Sequence, residues 1–173
     1  QLENILDSIF FNQKVDSPLH MTSLPLPPFW EVYANGDIVS DGMKRGKIDC
    51  FQDHPQRVKK VDSYDPDGHC SASDHYDRSG SLFLKEVWSA NERHLSIYTN
   101  DRMGKLYLFH QHDRAIYQAI DGLEQGFSSI EEAKKVLLQE ALLQAEKDFV
   151  SDPELLKAIH KLENEQIIFY VRS

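Results

Sequence analysis

The segment YDPDGHCSASDHYDRSG, residues 64–80, holds the densest group of side chains in this chain that could bind a cation or a charged partner. It contains four aspartates, two histidines and one cysteine. Carboxylate oxygens are the ligands that calcium prefers, whereas zinc prefers imidazole and thiolate groups. The spacing does not match the D-x-D-x-D-G calcium loop, and the single cysteine excludes the zinc pattern that combines C-x₂₋₄-C with H-x₃₋₅-H. The sequence therefore assigns no metal and no cofactor to this segment.

A pair of histidines, His110 and His112, follows the strand-like run KLYLF. Residues i and i+2 of a strand project to the same side, so both imidazoles could face one ion if the strand continues through them. A third ligand would have to come from residues 62–77, which the sequence predicts as an Asp/His-rich loop. A metal-dependent hydrolase or a metal-binding protein is therefore one alternative function.

The predicted 62–77 loop is also a candidate docking site for a protein. It has five aspartates and no lysine or arginine, and the whole chain has a formal net charge of −9. Aspartate, glycine and serine favour turns, so a solvated loop without function also explains this composition. Loops on a rigid scaffold often carry recognition residues. We expect a protein partner with a basic surface, bound through six side chains: Asp65, Asp67, His69, Asp74, His75 and Asp77.

The chain contains none of the motifs G-x-S-x-G, G-x-x-x-x-G-K-[ST], H-E-x-x-H, G-x-G-x-x-G and C-x-x-C. Their absence favours a non-enzymatic module, such as an inhibitor, an immunity-type protein or an adaptor, over an enzyme. An excess of 28 acidic over 19 basic side chains disfavours phosphate backbones and anionic membranes as partners. One basic segment leaves open the binding of single-stranded nucleic acid, and it comprises Lys44, Arg45, Lys47, Arg57, Lys59 and Lys60.

The elements that must position these residues belong to an α+β class, because strand-like and helix-like segments are grouped rather than alternating. Residues 1–16 are predicted as a short amphipathic helix, residues 17–28 as a proline-rich connector, and residues 29–173 as one domain with one core. That domain is expected to be a curved antiparallel meander of about seven or eight strands. Asn35-Gly36 marks its first hairpin turn.

Two C-terminal helices are predicted to pack against the meander. The first begins near Ile130 after a capping-box pattern, and Leu137 lies on its apolar face. The second begins near Pro153, because proline is well tolerated in the first turn of a helix. Residues 167–171 are expected to return to the sheet as a strand.

Two cysteines, Cys50 and Cys70, are too few for a disulfide framework. Free thiols fit a reducing compartment, so a cytoplasmic location is expected. No apolar run approaches the length of a membrane span, and no leader pattern appears in the sequence, which opens on Gln1 rather than on Met.

Overall fold

The computed structural model describes residues 5–147 together with residues 157, 160 and 161. Within this part of the chain, ten antiparallel strands form one sheet whose strand order is the chain order. The strands are β1 (Glu31–Val32), β2 (Asp37–Ser40), β3 (Met43–Phe51), β4 (His54–Tyr64), β5 (Cys70–Tyr76), β6 (Leu82–Ser89), β7 (Glu92–Asn100), β8 (Gly104–Phe109), β9 (Arg114–Gln118) and β10 (Glu124–Phe127). Helix α1 (Ile5–Phe10) precedes the sheet and helix α2 (Ile130–Lys147) follows it. Short 3₁₀ turns lie at Met21–Ser23 and His110–His112.

The predicted hairpin at Asn35-Gly36 joins β1 to β2. Gly36 has a φ of 87°, and a Cβ atom there would clash with the carbonyl oxygen of Ile48. Asn35 contributes its side chain to the same turn, because its Oδ1 accepts a hydrogen bond from the Asp37 amide at 2.9 Å. The turn therefore needs both residues, one for its conformation and one for its cap.

The antiparallel meander of the α+β prediction is confirmed, but the expected number of strands was too low. The described residues form ten strands, of which β5 lies within the predicted 62–77 loop and β10 has the sequence EQGF. Neither sequence alternates apolar and polar residues, so periodicity does not reveal these two strands.

The predicted 62–77 loop is wrong, because β4 continues to Tyr64 and β5 begins at Cys70. Only a tight turn over residues 65–69 connects them. The β5 sequence CSASDHY is polar on both faces, which removes the alternation by which a strand is usually recognised. Most of the predicted loop is thus a hairpin within the sheet.

The buried apolar side chains form two clusters on this one sheet, where the sequence analysis expected one core. The first joins α1, α2 and strands β6–β10, and its largest fully buried members are Phe10, Leu6, Leu106 and Leu137. The second joins strands β2–β4 to the connector, and its buried members are Ile38, Ile48, Val58 and Val61. Leu19, Met21, Leu24 and Leu26 of the connector pack against this second cluster.

The pairing register places the two clusters on opposite faces of the sheet. Lys60, His75, Leu84 and Tyr98 are successive cross-strand partners, and so are Val61, Asp74, Lys85 and Ile97. Adjacent residues of a strand point to opposite faces, so these two rows lie on different sides. We call the side of Leu84 and Tyr98 the helix face and the side of Val61 the connector face. Each face is covered over only part of its width.

Helix α2 begins at Ile130, as predicted, and a variant of the capping box, in which both Ser128 and Ser129 bond Glu132, precedes it. The Glu132 amide donates to the Ser129 hydroxyl at 3.1 Å, while the Glu132 carboxylate accepts from the Ser128 amide at 2.9 Å. Leu137 is fully buried in the first cluster, which fits the predicted apolar face. The helix predicted near Pro153 and the strand predicted at residues 167–171 lie outside the described residues.

Replacing Leu137 with alanine is expected to lower the free energy of unfolding by roughly 2–5 kcal/mol, because it leaves a cavity in the first cluster. Leu143→Ala on the same helix is the matched control, since Leu143 is 58% exposed. Its cost should stay within about 0.5 kcal/mol. Chemical denaturation of the two variants measures both values, and equal losses would contradict the assigned helix face.

Candidate partner-binding surface

One unbroken row of paired residues crosses the helix face from β2 to β10. Each member is the direct antiparallel partner of the next, so all nine side chains lie on the same face. The row runs Asp37, Lys47, Asp62, Ser73, Glu86, Ser96, Leu108, Ala115 and Phe127. Its first six members are polar and its last three are apolar. The change occurs where the first cluster, with α1 and α2, begins to cover the face.

Ion pairs neutralise the outer part of this polar row. Lys44 Nζ lies 2.8 Å from Asp37 Oδ1, and Lys47 Nζ lies 3.4 Å from the same oxygen. The hydrogen bond from Lys44, the largest effect, lowers the pKa of Asp37 to about 2. Farther along the row, Lys60 Nζ lies 3.0 Å from Asp62 Oδ2. The polar face is therefore a network of paired charges rather than a patch of one sign.

Glu86 is the most deeply buried carboxylate of the row, with 7% of its surface exposed. His75 Nε2 donates to its Oε1 at 2.7 Å, and Arg93 Nη1 donates to its Oε2 at 2.9 Å. Burial raises the pKa of Glu86, but the hydrogen bonds from His75 and Arg93 outweigh this effect, and the pKa lies below its ordinary value. Glu86 is thus ionised, and its two carboxylate oxygens accept hydrogen bonds from the neighbouring strands β5 and β7.

Ser96 and His110 form the next polar contact, with 2.7 Å between Oγ and Nε2. A serine hydrogen bonded to a histidine is the start of a nucleophile–base pair. Ser96 is, however, only 2% exposed, so its hydroxyl has no access to a substrate in this arrangement. Burial, followed by the positive charge of Arg93, lowers the pKa of His110. The pair therefore forms a partly buried hydrogen bond within the polar row.

The six predicted docking residues do not form one group. Asp65, Asp67 and His69 share the β4–β5 turn, where Asp65 Oδ1 accepts hydrogen bonds from the amides of Asp67 and His69 at 3.0 and 2.8 Å. Asp67 and His69 are exposed, and Asp65 is half-buried. These three residues remain available to a partner at the end of the hairpin.

The other three predicted docking residues point in different directions. Asp74 lies on the connector face and pairs with Lys85 at 3.2 Å, whereas His75 lies on the helix face beside Glu86. Asp77 is 3% exposed, and its Oδ1 accepts from the Ser79 hydroxyl and from the amides of Ser79 and Ser81. Asp77 therefore organises the β5–β6 turn, and its carboxylate is not accessible to a partner.

The metal-binding alternative loses its geometric basis. His110 and His112 belong to a 3₁₀ turn rather than to a strand, so the i, i+2 argument does not hold. His110 is engaged with Ser96, and His112 lines a separate groove beside β9. Among the residues that the structure describes, the ligand atoms of Asp65, Asp67 and His69 alone come together, within 4.8 Å of one another. Asp65 Oδ1 already accepts two backbone hydrogen bonds, so this exposed group offers few free ligand atoms to a cation.

Three of the six basic residues of the nucleic-acid alternative form ion pairs within the sheet. Lys44 and Lys47 pair with Asp37, and Lys60 pairs with Asp49 and Asp62. Cationic side chains bind a phosphate backbone by replacing its counterions. These three lysines already pair with carboxylates of the protein itself. The arrangement therefore offers no continuous cationic stripe from residue 44 to residue 60.

The connector face carries an apolar surface over β7–β9 that sequence analysis did not identify. Ile97, Tyr107 and Ile116 are successive cross-strand partners on this face, and Ile116 is 40% exposed. On β7 the apolar Ile97 is only half-buried, whereas Ser96 and Tyr98 are buried under the opposite face. The period-two pattern of HLSIYT signals a strand, but it does not show which of its two faces is covered.

The arrangement of strands β1–β10 corresponds to a known protein family. The family model described as the GtfB middle domain matches residues 30–127, which is more than half of the chain. The chain belongs to the GtfB middle-domain family. The match begins just before β1 and ends with β10, so it covers the whole meander.

Curated relatives that match this chain are named UDP-N-acetylglucosamine–peptide N-acetylglucosaminyltransferase stabilizing protein GtfB. The protein from Streptococcus gordonii is 34% identical over 82 residues, which cover 45% of this chain and 18% of that protein. The protein from Streptococcus agalactiae is 31% identical over 106 residues, which cover 57% of this chain and 24% of that protein. The matches thus span less than a quarter of the length of these GtfB proteins.

Solved structures share the fold of this GtfB middle domain. A GtfA/B complex bound to UDP and GlcNAc aligns with a TM-score of 0.64 and 23% identity, covering 79% of this chain and 32% of that one. Accessory secretory protein 1, 2 and 3 from Streptococcus pneumoniae aligns with a TM-score of 0.60 and 11% identity, covering 79% and 29%. At these identities the likeness establishes the fold alone. In the described residues, no helix is long and apolar enough to cross a membrane.

Replacing Glu86 with glutamine is expected to destabilise this domain by roughly 1–3 kcal/mol at pH 7, because the donors His75 and Arg93 lose an ionised acceptor. The folded-state pKa of Glu86 lies below its ordinary value of 4.5, so its contribution is complete above that value. The contribution is lost as the pH falls through the folded-state pKa. Urea denaturation between pH 7 and pH 3 should therefore show the variant and the wild type converging in acid.

Glu92→Gln is the matched control, since Glu92 is exposed at the start of β7. Its stability profile should follow that of the wild type at every pH. If Glu86→Gln also follows the wild type, the buried carboxylate does not hold the three strands together.

Proposed function

We propose that this chain is a non-enzymatic protein-binding domain that acts as an adaptor and supports a glycosyltransferase partner. The observation that carries the proposal is the family match over residues 30–127, which spans every strand of the meander. The matching relatives are named as proteins that stabilise a peptide N-acetylglucosaminyltransferase. A stabilising protein acts by binding the folded state of its partner, which shifts the folding equilibrium of that partner.

The geometry of the polar row supports a binding role rather than catalysis. Its charged side chains are engaged with one another, as in the contacts of Glu86 with His75 and Arg93. The serine–histidine contact is buried, because Ser96 is 2% exposed. A catalytic nucleophile and its base must reach a substrate, and this pair does not.

The proposed contact region is the acidic turn, which we define as residues 65–69. Asp67 and His69 are exposed there, and the hydrogen bonds that Asp65 accepts fix the shape of the turn. A net charge of −9 favours approach to a basic surface, and exposed charges at the edge of an interface act mainly on the rate of association. The partner surface opposite this turn is therefore proposed to be basic.

The experiment is a binding measurement between the protein and a purified glycosyltransferase of the GtfA kind. We expect saturable association and a higher melting temperature of the glycosyltransferase when the protein is present. Asp67→Lys, which leaves the hydrogen bonds accepted by Asp65 intact, should slow association by about threefold at low salt and flatten its dependence on ionic strength.

Asp101→Lys is the matched control, because Asp101 is an exposed acidic residue in the β7–β8 turn. It should leave the association rate close to that of the wild type. Circular dichroism should show that all variants keep their fold, since exposed charges contribute little to stability. Slowing of equal size in the control would refute the acidic turn as the contact region, and absence of any association would refute the adaptor role.

A further inference from the structure

The two edges of the sheet are unequal, and the difference points to a second binding site. Edge strands expose unpaired amide and carbonyl groups, and proteins usually protect them with short length, proline or lysine. At one edge β1 has two residues and follows Pro27 and Pro28. At the other edge β10, with sequence EQGF, has four residues and neither proline nor lysine. Its pairing with β9 is regular, without a bulge.

The outer side of β10 has no paired strand among the described residues, since β9 is its sheet neighbour there. A groove of about 920 Å³ lies beside it, lined by Phe109, His112, Arg114, Ala115, Ile116, Gly126, Phe127 and Ser128. Ile116 and its β10 partner Gly126 lie on the connector face, opposite α2. The groove therefore combines an open strand edge with an apolar floor.

Gly126 is the position at which this groove lacks a side chain. Its φ is not positive, and a Cβ atom there would meet nothing within 4 Å. Neither the backbone conformation nor the packing of β10 thus requires glycine. A glycine within a strand often marks close approach by another backbone or by a ligand. Here it leaves Ile116 uncovered at the end of the apolar row Ile97, Tyr107 and Ile116.

The charge of the groove restricts what it can bind. His112 and Arg114 are its ionisable members, and none of the described lining residues is acidic. Arg114 is exposed, and within the described part of the chain it has no ion-pair partner. A cationic groove favours an acidic ligand, in contrast to the basic partner proposed for the acidic turn.

We propose that β10 and this groove bind an extended, acidic segment of a partner protein, which adds to the sheet as an eleventh strand. Main-chain hydrogen bonds to β10 supply the pairing, as in other cases of β-strand addition. A side chain of the segment packs over Gly126 onto Ile116, and an acidic side chain pairs with Arg114. This site lies apart from the acidic turn and does not depend on the adaptor role.

The test uses fluorescence anisotropy with a labelled peptide of sequence Thr-Asp-Thr-Val-Thr-Glu-Thr, in which the central valine and both acidic side chains lie on the same face of the strand. We expect saturable binding to the protein. A peptide with proline in place of the central valine should lose binding, because proline cannot donate to a strand ladder. A peptide with lysine in place of both acidic residues should bind about tenfold more weakly.

Two pairs of variants locate the site on the protein. Gly126→Trp fills the groove and should weaken peptide binding by about tenfold or more, whereas Gln125→Trp on the opposite face of β10 should not. Arg114→Glu should weaken binding by about fivefold or more, and Lys105→Glu, exposed on the same face outside the groove, should not. Melting temperatures of all four variants are measured without peptide.

Three outcomes would overturn the proposal. Binding that tolerates the proline peptide would show that no strand is added. Binding indifferent to both Gly126→Trp and Arg114→Glu would place the peptide elsewhere. A lower melting temperature for Gly126→Trp, with Gln125→Trp unchanged, would show that the groove is already occupied by the chain itself. Loss of glycosyltransferase association by the acidic-turn variant alone would leave this proposal intact.

Discussion

The cross-strand register of the sheet is the constraint on which the other features of this structure depend. Alternate residues of a strand lie on opposite faces, so a register maintained from strand to strand assigns every side chain to one side. In this sheet one row of partners runs without interruption from Asp37 to Phe127. A shift by one residue at the level of Glu86 would expose the first cluster and bury unpaired charges. The contacts of Glu86 with His75 and Arg93 join three neighbouring strands at this point of the row.

The sheet is stabilised by different means at its two ends. Over β6–β10 the helix face is covered by α1 and α2, while over β2–β4 the connector covers the opposite face. The uncovered parts of the two faces therefore differ in the side chains that they present. Where no helix of the described residues lies on it, the helix face is a network of ion pairs. Beyond the connector, the connector face carries the exposed Ile116 and the half-buried Tyr107. A ten-stranded sheet with this coverage offers two chemically distinct surfaces to other proteins.

Much of the architecture could be predicted from local signals. Asn35-Gly36 marks a turn because its conformation demands these residues, and Ser129 with Glu132 marks the start of α2 because both belong to the capping-box variant. The candidate site could be predicted only in part. Asp74 and Asp77 lie in the same acidic stretch of sequence as the acidic turn. The register of β5 places Asp74 beside Lys85, and the buried Asp77 accepts hydrogen bonds within the β5–β6 turn. The role of Glu86 depends on partners 7 and 11 residues away in sequence, across two strand pairs, which no local pattern encodes.

The strand order has a consequence for how the chain folds. Every strand pairs with its neighbour in sequence, so the sheet can assemble by successive local hairpins that close only short loops. Helix α1 is the exception, since the hydroxyl of Tyr98 donates to Asp7 across 91 residues of sequence. Closing that long loop carries a larger entropic cost and gains stability only after β7 has formed. Docking of α1 is therefore expected to be a late event in folding, and undocking of α1 would expose the fully buried side chains of Leu6 and Phe10.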